Sequence, residues 1–194
     1  VFTNFYNDGW RENIEQVNMA LPSIEKLKKV VENLGIKNKD HIILYPKKND
    51  IYSMSEATSI YFTLKYLGHK KLSIMNGDFQ KFKNKYPLSV EEGKPKEIIK
   101  SEYNVSLNKS ILANEADVKK NLISGKPLID SREKDFFLGI NKLEGFADYG
   151  TIKESKNIPS KWNLRSRELE FNGIEKLNKI YEYLGLENKV DSPI

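Results

Sequence analysis

The sequence predicts an α/β protein with a parallel central sheet flanked by helices. Two observations carry that class: short apolar runs alternate with amphipathic helical stretches, and one helical stretch occurs twice. Ser23 to Leu44 reads SIEKLKKVVENLGIKNKDHIIL, and Gly173 to Ile194 reads GIEKLNKIYEYLGLENKVDSPI. Glu32, Leu34, Gly35, Asn38 and Lys39 recur as Glu182, Leu184, Gly185, Asn188 and Lys189, at an offset of 150 throughout. A repeat that long predicts two copies of one domain rather than a solenoid, whose units are shorter. The first copy runs on into His41-Ile42-Ile43-Leu44-Tyr45, which reads as a buried strand. The second reaches Ile194 where its own strand is expected. The chain also begins at Val1 rather than at a methionine, so it is read as a fragment with both domains incomplete.

Taken in order, residues 1–22 hold Phe2, Phe5, Tyr6 and Trp10 without a clean period and read as an ordered loop. Ser23 is an N-cap for the first repeated helix, and Ile24, Leu27, Val30, Val31 and Leu34 form its apolar stripe. Gly35 supplies a left-handed stop, and Gly185 does the same for the second copy. After the strand at 41–45 comes a loop through Asp50. A helix over about 55–67 follows, with Ser53 or Ser55 as its cap. Leu72 to Met75 form a second strand, Asn76-Gly77-Asp78 a turn, and Gln80 to Lys85 a short helix. Periodicity lapses between Tyr86 and Ser101, where Pro87, Gly93 and Pro95 lie among charges. The predicted division is therefore a first domain over 1–86, a linker over 87–101 and a second domain over 102–194. Tyr103 to Leu107 would open that second domain as a strand. Asn114 caps a helix over 115–122, Leu128-Ile129-Asp130 is a buried strand, and 132–155 is a long loop before Asn157-Ile158-Pro159 and the second repeated helix.

Composition removes several functional classes. Net charge is +5, from 32 basic and 27 acidic residues. The lysines are scattered among acids, which describes a solvated surface rather than a nucleic-acid face. No apolar run approaches the ~20 residues of a membrane span, and no signal peptide is visible, which leaves cytoplasm and periplasm both open. With no cysteine, the chain holds no disulfide, thiolate metal site or cysteine nucleophile. His41 and His69 are not spaced as metal ligands and nothing sets either beside a serine and a carboxylate. No metal and no cofactor is expected.

Two places remain for chemistry. The loop at 46–54 follows a strand and precedes a helix, a position where backbone N–H groups favour an anion. Pro46 offers no N–H there, and the loop reads as catalytically silent. The second place is Asp130-Ser131-Arg132 at a strand end. Asp130 can bond backbone amides of the following loop as a structural residue, and Arg132 can pair with a carboxylate or hold an anion.

These segments, in this order, resemble the rhodanese-type sulfurtransferases, a tandem-domain family acting on thiosulfate or 3-mercaptopyruvate. Leu67-Gly68-His69 with the strand to Met75 and then Gly77 looks like the family's LGH segment. Leu128 to Arg132 looks like the strand and DSR of its second domain, and Gly150 to Pro159 resembles its GHI…NIP segment. The resemblance implies two tandem rhodanese-like domains, the first inactive. It also implies transfer of sulfane sulfur from a small anionic donor to a thiol or cyanide through a cysteine persulfide. The nucleophile stands in a CxxGxxA loop after the central strand. That position falls at about Pro46 in the first domain and beyond Ile194 in the second, so the chain itself is expected to be inactive.

Substrate-binding candidates are Arg132, Lys142 and Lys153. Phe136 stands where many relatives carry an arginine for the donor, and others carry an aromatic followed by a glycine like Gly139. Thr151 replaces the histidine of GHI and Glu154 its second glycine. The resemblance leaves two alternatives open: a cysteine-free rhodanese-like binding or regulatory module, and a phosphatase relative with a longer loop.

Overall fold

The computed structural model describes residues 1–186 except 16, 47, 49, 91, 92, 94–96, 147 and 166–168. The chain divides into two compact units, Val1–Lys109 and Ser110–Ile194.

In the first unit, β1 (Glu12–Ile14) and β2 (Val17–Ala20) pair antiparallel, in a stretch expected as loop. The aromatic residues before them account for the order: Trp10 is fully buried and Phe5 nearly so. Helix α1 (Ile24–Asn33) begins at Ser23, whose side chain accepts from the Lys26 amide. It buries Leu27, Val30 and Val31, and Gly35 ends it at φ +71°. β3 (Ile42–Leu44) lies parallel to β4 (Leu72–Ile74), with α2 (Ile51–Tyr66) between them in sequence and α3 (Phe79–Lys85) after. His41 Nε2 and Ser73 Oγ, 2.8 Å apart, add a side-chain link across this pair.

Helix α2 starts four residues before the expected position and its cap is Asp50, not Ser53 or Ser55. The Asp50 carboxylate accepts from the Ser53 amide at 2.8 Å, while Ser55 Oγ donates back to the Ile51 carbonyl at 2.9 Å. A carboxylate three residues ahead of a free amide is a strong cap, and a serine inside a helix spends its hydroxyl on the preceding turn.

Tyr103 to Leu107 do not form a strand opening the second unit. Residues 98–108 lie as an extended arm on the first. The Ser101 amide donates to Glu32 O, Ser106 to Leu67 O and Asn108 to Tyr66 O. Tyr103 is fully buried among Leu27, Val31, Leu64 and Leu67. Its hydroxyl lies 3.0 Å from His69 Nδ1, whose Nε2 donates to the Asp40 carbonyl. That carbonyl can only accept, so in the neutral ring Nδ1 accepts from Tyr103. Burial pushes the Tyr103 phenol up to about 12, which keeps it a donor. The division between units thus falls after Lys109, later than the expected 87–101 linker.

The second unit holds α4 (Glu115–Ser124), β5 (Ile129–Asp130), α5 (Lys134–Phe137), β6 (Lys156–Asn157) and α6 (Ile174–Tyr183). Asn114 and Asp117 form a reciprocal capping box on α4, and Gly125 closes it at φ +67°. β5 and β6 run parallel. Lys156 Nζ donates to the carbonyl of Leu184 at the C-terminal end of α6, a favourable place for a cation. Helix α6 repeats α1 at the expected offset, and Gly185 ends it at φ +67°. The strand expected after the second copy lies outside the described residues.

Candidate functional site

The loop between β3 and α2 occupies the carboxyl end of a parallel strand. Pro46 in it is buried. At the far side of the loop the N-terminus of α2 is taken by the chain's own Asp50 carboxylate. The described loop residues include no cysteine, serine or threonine, and the helix end that would favour an anion already holds one.

The Asp130-Ser131-Arg132 segment is more organised. Arg132 Nε donates to Asp130 Oδ1 at 3.0 Å and to Oδ2 at 3.1 Å, and Nη2 donates to Oδ2 at 2.6 Å. The Arg132 amide adds a bond to Oδ1 at 3.0 Å. Arg132 Nη2 also donates to the Gly150 carbonyl at 2.7 Å, and Thr151 Oγ1 donates to Asp130 Oδ2 at 2.7 Å. Thr151 is in turn 2.8 Å from Ser155 Oγ, which donates to Ile152 O. The Arg132 guanidinium is the main reason the Asp130 carboxyl is held down to about 2; burial opposes it, and the Arg132 amide and Thr151 hydroxyl reinforce it. Asn157 secures the other side, with Nδ2 donating to the carbonyls of Asp130 and Arg132, both at 2.9 Å.

The result is a clamp that ties the end of β5 to the returning turn at 150–155. Glu154 in that turn takes φ +66°, a left-handed conformation at the position where the resemblance has a glycine. The clamp also closes the base of the loop 139–150: a Cβ on Gly139 would come within 3.2 Å of the Gly150 nitrogen.

The three cationic candidates are not brought to one point. Arg132 is engaged by Asp130 and Gly150. Lys142 lies in the loop with Nζ 4.9 Å from the centre of the Tyr149 ring. Lys153 is exposed in the turn beside Glu154. Phe136 lies half-buried on α5, a four-residue helix inside the stretch expected as loop. Sequence reading did not anticipate Ser155 or Asn157 as parts of the clamp. Asn157 had a signal in its NIP segment, whereas Ser155 had none. Among the described residues no group of three acidic or histidine side chains could hold a metal ion, and no helix is long and apolar enough to cross a membrane.

This architecture has counterparts. SseA of Escherichia coli, whose structure is described as the "rhodanese" fold of 3-mercaptopyruvate sulfotransferases, matches with a TM-score of 0.76 at 23% identity, covering 100% of this chain and 69% of that one. At that identity the likeness defines the class by fold: an α/β protein of rhodanese type. Among curated proteins, the thiosulfate sulfurtransferase of Rattus norvegicus is 29% identical over 153 residues, 77% of this chain and 50% of that protein. The sulfur carrier protein TtuD of Thermus thermophilus is 31% identical over 188 residues, 87% of this chain and 61% of that protein. No family model matches. The chain has a rhodanese-type fold and is similar in sequence to sulfurtransferases, and it spans about half the length of the curated relatives it matches.

Proposed function

We propose that the two units are successive rhodanese-like domains of a sulfurtransferase, the first silent and the second contributing to the reaction site. The observation that carries this is the Asp130–Arg132 clamp at a parallel strand end, in a chain whose relatives are sulfurtransferases. The reaction is transfer of sulfane sulfur from thiosulfate or a similar anionic donor to a thiol or cyanide. A cysteine thiolate attacks the sulfane sulfur, the donor S–S bond breaks and sulfite leaves. The acceptor then takes the outer sulfur of the persulfide and the thiolate returns. The chain has no cysteine, so the thiol comes from outside these 194 residues. In this reading Asp130 is structural, while Arg132, Lys142 and Lys153, which do not converge on one point, raise the positive charge around the loop that an anionic donor approaches.

The purified chain, given thiosulfate and cyanide, is expected to form no thiocyanate; detectable formation refutes the assignment of the thiol. The coding sequence after codon 194 provides the second test. A loop with cysteine following the next strand supports the enzyme. The complete lack of thiols in the chain also favours a binding or regulatory module, and a loop without cysteine decides for that reading.

A further inference from the structure

Asparagine is a chemically labile residue, and most so before glycine, whose nitrogen has no adjacent Cβ to keep it from the asparagine side chain. Two Asn-Gly pairs occur in the chain, Asn76-Gly77 and Asn172-Gly173. In neither does the glycine amide donate to a backbone carbonyl among the described residues. The attacking nitrogen therefore does not separate the two pairs; the setting of the asparagine does.

Asn172 is held. It is 5% exposed, and its Nδ2 donates to the carbonyls of Trp162 at 2.8 Å and Leu164 at 3.2 Å. Its amide donates to Asn163 O at 2.8 Å, and the Gly173 carbonyl accepts from the Lys176 and Leu177 amides at the start of α6. Turning the Asn172 side chain onto Gly173 N would break both Nδ2 bonds and disturb the helix start. Asn76 is exposed and lies in the turn between β4, which ends at Ile74, and α3, which starts at Phe79. Neither residue of this pair belongs to the strand ladder or the helix. Gly77 takes φ +113°, a conformation that side chains disfavour. The next residue, Asp78, is the cap of α3: it is 7% exposed and its carboxylate accepts from the Lys81 amide at 2.8 Å.

We propose that Asn76-Gly77 is a self-modification site, where a succinimide forms and opens to products that loosen α3. The Gly77 nitrogen attacks Asn76 Cγ, its proton passes to the departing amide, the Cγ–Nδ2 bond breaks and ammonia leaves. Water then opens the ring. Cleavage between the nitrogen and Cγ gives aspartate on the normal main chain. Cleavage between the nitrogen and the main-chain carbonyl carbon gives isoaspartate, whose main chain runs through Cγ and is one methylene longer. Gly77 is buried, so attack comes from within the turn, and water enters from the exposed Asn76 side. The longer main chain pushes Asp78 off the Lys81 amide, and α3 loses its cap. Phe79, which opens α3 and stacks on Tyr45 with ring centres 5.0 Å apart, carries the disturbance to the end of β3. The chemistry needs only water and is independent of sulfur transfer.

The test ages the full 194-residue chain in mildly alkaline buffer, folded and in urea, and maps the products by mass spectrometry and by methyl labelling with a protein-isoaspartate methyltransferase. In the folded chain, conversion at Asn76 is expected to run at least tenfold ahead of Asn172. In urea the two rates should converge, because the sequence pair is the same. Hydrogen exchange of the 81–85 amides should quicken in the isoaspartyl product. It should stay unchanged in Asn76→Asp, which has the new charge without the longer main chain. Asn76→Gln, at an exposed position, should abolish labelling there and leave the fold intact. Equal rates at the two sites in the folded chain, a gap between them that persists in urea, or an isoaspartyl product with unchanged α3 exchange overturns the proposal.

Discussion

Gly68 stands where the arm crosses the first unit, and replacing it with alanine tests the packing directly. Its φ is +89°, and a Cβ added there would lie 1.9 Å from the carbonyl oxygen of Ser106 and 2.8 Å from its carbon. Both are backbone atoms, so no rotamer change relieves the clash. The arm must move and lose the bonds from Ser106 N to Leu67 O and from Asn108 N to Tyr66 O. Left-handed strain costs about 1–2 kcal/mol, overpacking about 1–3 and each lost hydrogen bond about 1. These overlap, and Gly68→Ala is expected to destabilise the first unit by about 3–5 kcal/mol. Gly125→Ala is the matched control: φ is +67° with no atom within 4 Å of the added Cβ, so only strain of about 1 kcal/mol remains. Urea unfolding followed by tryptophan fluorescence reads Gly68→Ala through Trp10, which is fully buried, in a Trp162→Phe background, and reads Gly125→Ala, which lies in the second unit, through Trp162 in a Trp10→Phe background. If Gly68→Ala costs no more than Gly125→Ala, the account of the arm is wrong.

Other perturbations report on the clamp and the core. Asp130 has a depressed carboxyl, so its contribution is full above pH 4–5, where the unfolded carboxylate is also ionised, and disappears as pH falls through about 2. Arg132 is 41% exposed, so solvent screening limits this to about 1 kcal/mol; Asp130→Asn should cost that much in neutral urea melts and nothing below pH 2. Glu154→Gly removes a left-handed strain of about 1–2 kcal/mol at a chain-entropy cost of about 0.5–1, so a thermal melt should show a slight stabilisation; a fall in melting temperature would contradict the strain. Tyr103→Phe leaves His69 Nδ1 without its hydroxyl donor in a buried site and should cost about 1–2 kcal/mol by the same urea assay. An unchanged midpoint would mean that the bond contributes nothing.

Features that depend on near neighbours were legible in the sequence. Both repeated helices are marked by apolar residues three and four apart and by a glycine stop, and they occupy equivalent residues. Asn114 declared itself as the cap of α4, and the structure adds the reciprocal bond from Asp117. The start of α2 was misplaced because Asp50 and two serines compete for one role, and only the geometry shows which side chain meets a free amide. The arm was illegible for a different reason. Tyr103 is held by His69, 34 residues earlier, and its amide by Glu32, 71 residues earlier. No local pattern encodes such partners, and a segment of mixed polarity between two units looks like an opening strand. In the clamp, DSR drew attention to Asp130 and Arg132, but Thr151 lies 21 residues beyond Asp130 in sequence.

The Asp50 cap makes the silence proposed for the first unit hard to reverse. A thiol introduced at Pro46 would face a helix end already neutralised by a fixed carboxylate. That negative charge opposes thiolate formation and repels an anionic donor. Removing Asp50 to clear the way takes the cap from α2, whose Ile60 and Leu64 belong to the main core, at a cost of about 1 kcal/mol. Each single step is therefore unproductive or harmful by itself. Such a position acts as a ratchet: a residue the fold now relies upon opposes a thiolate in the loop.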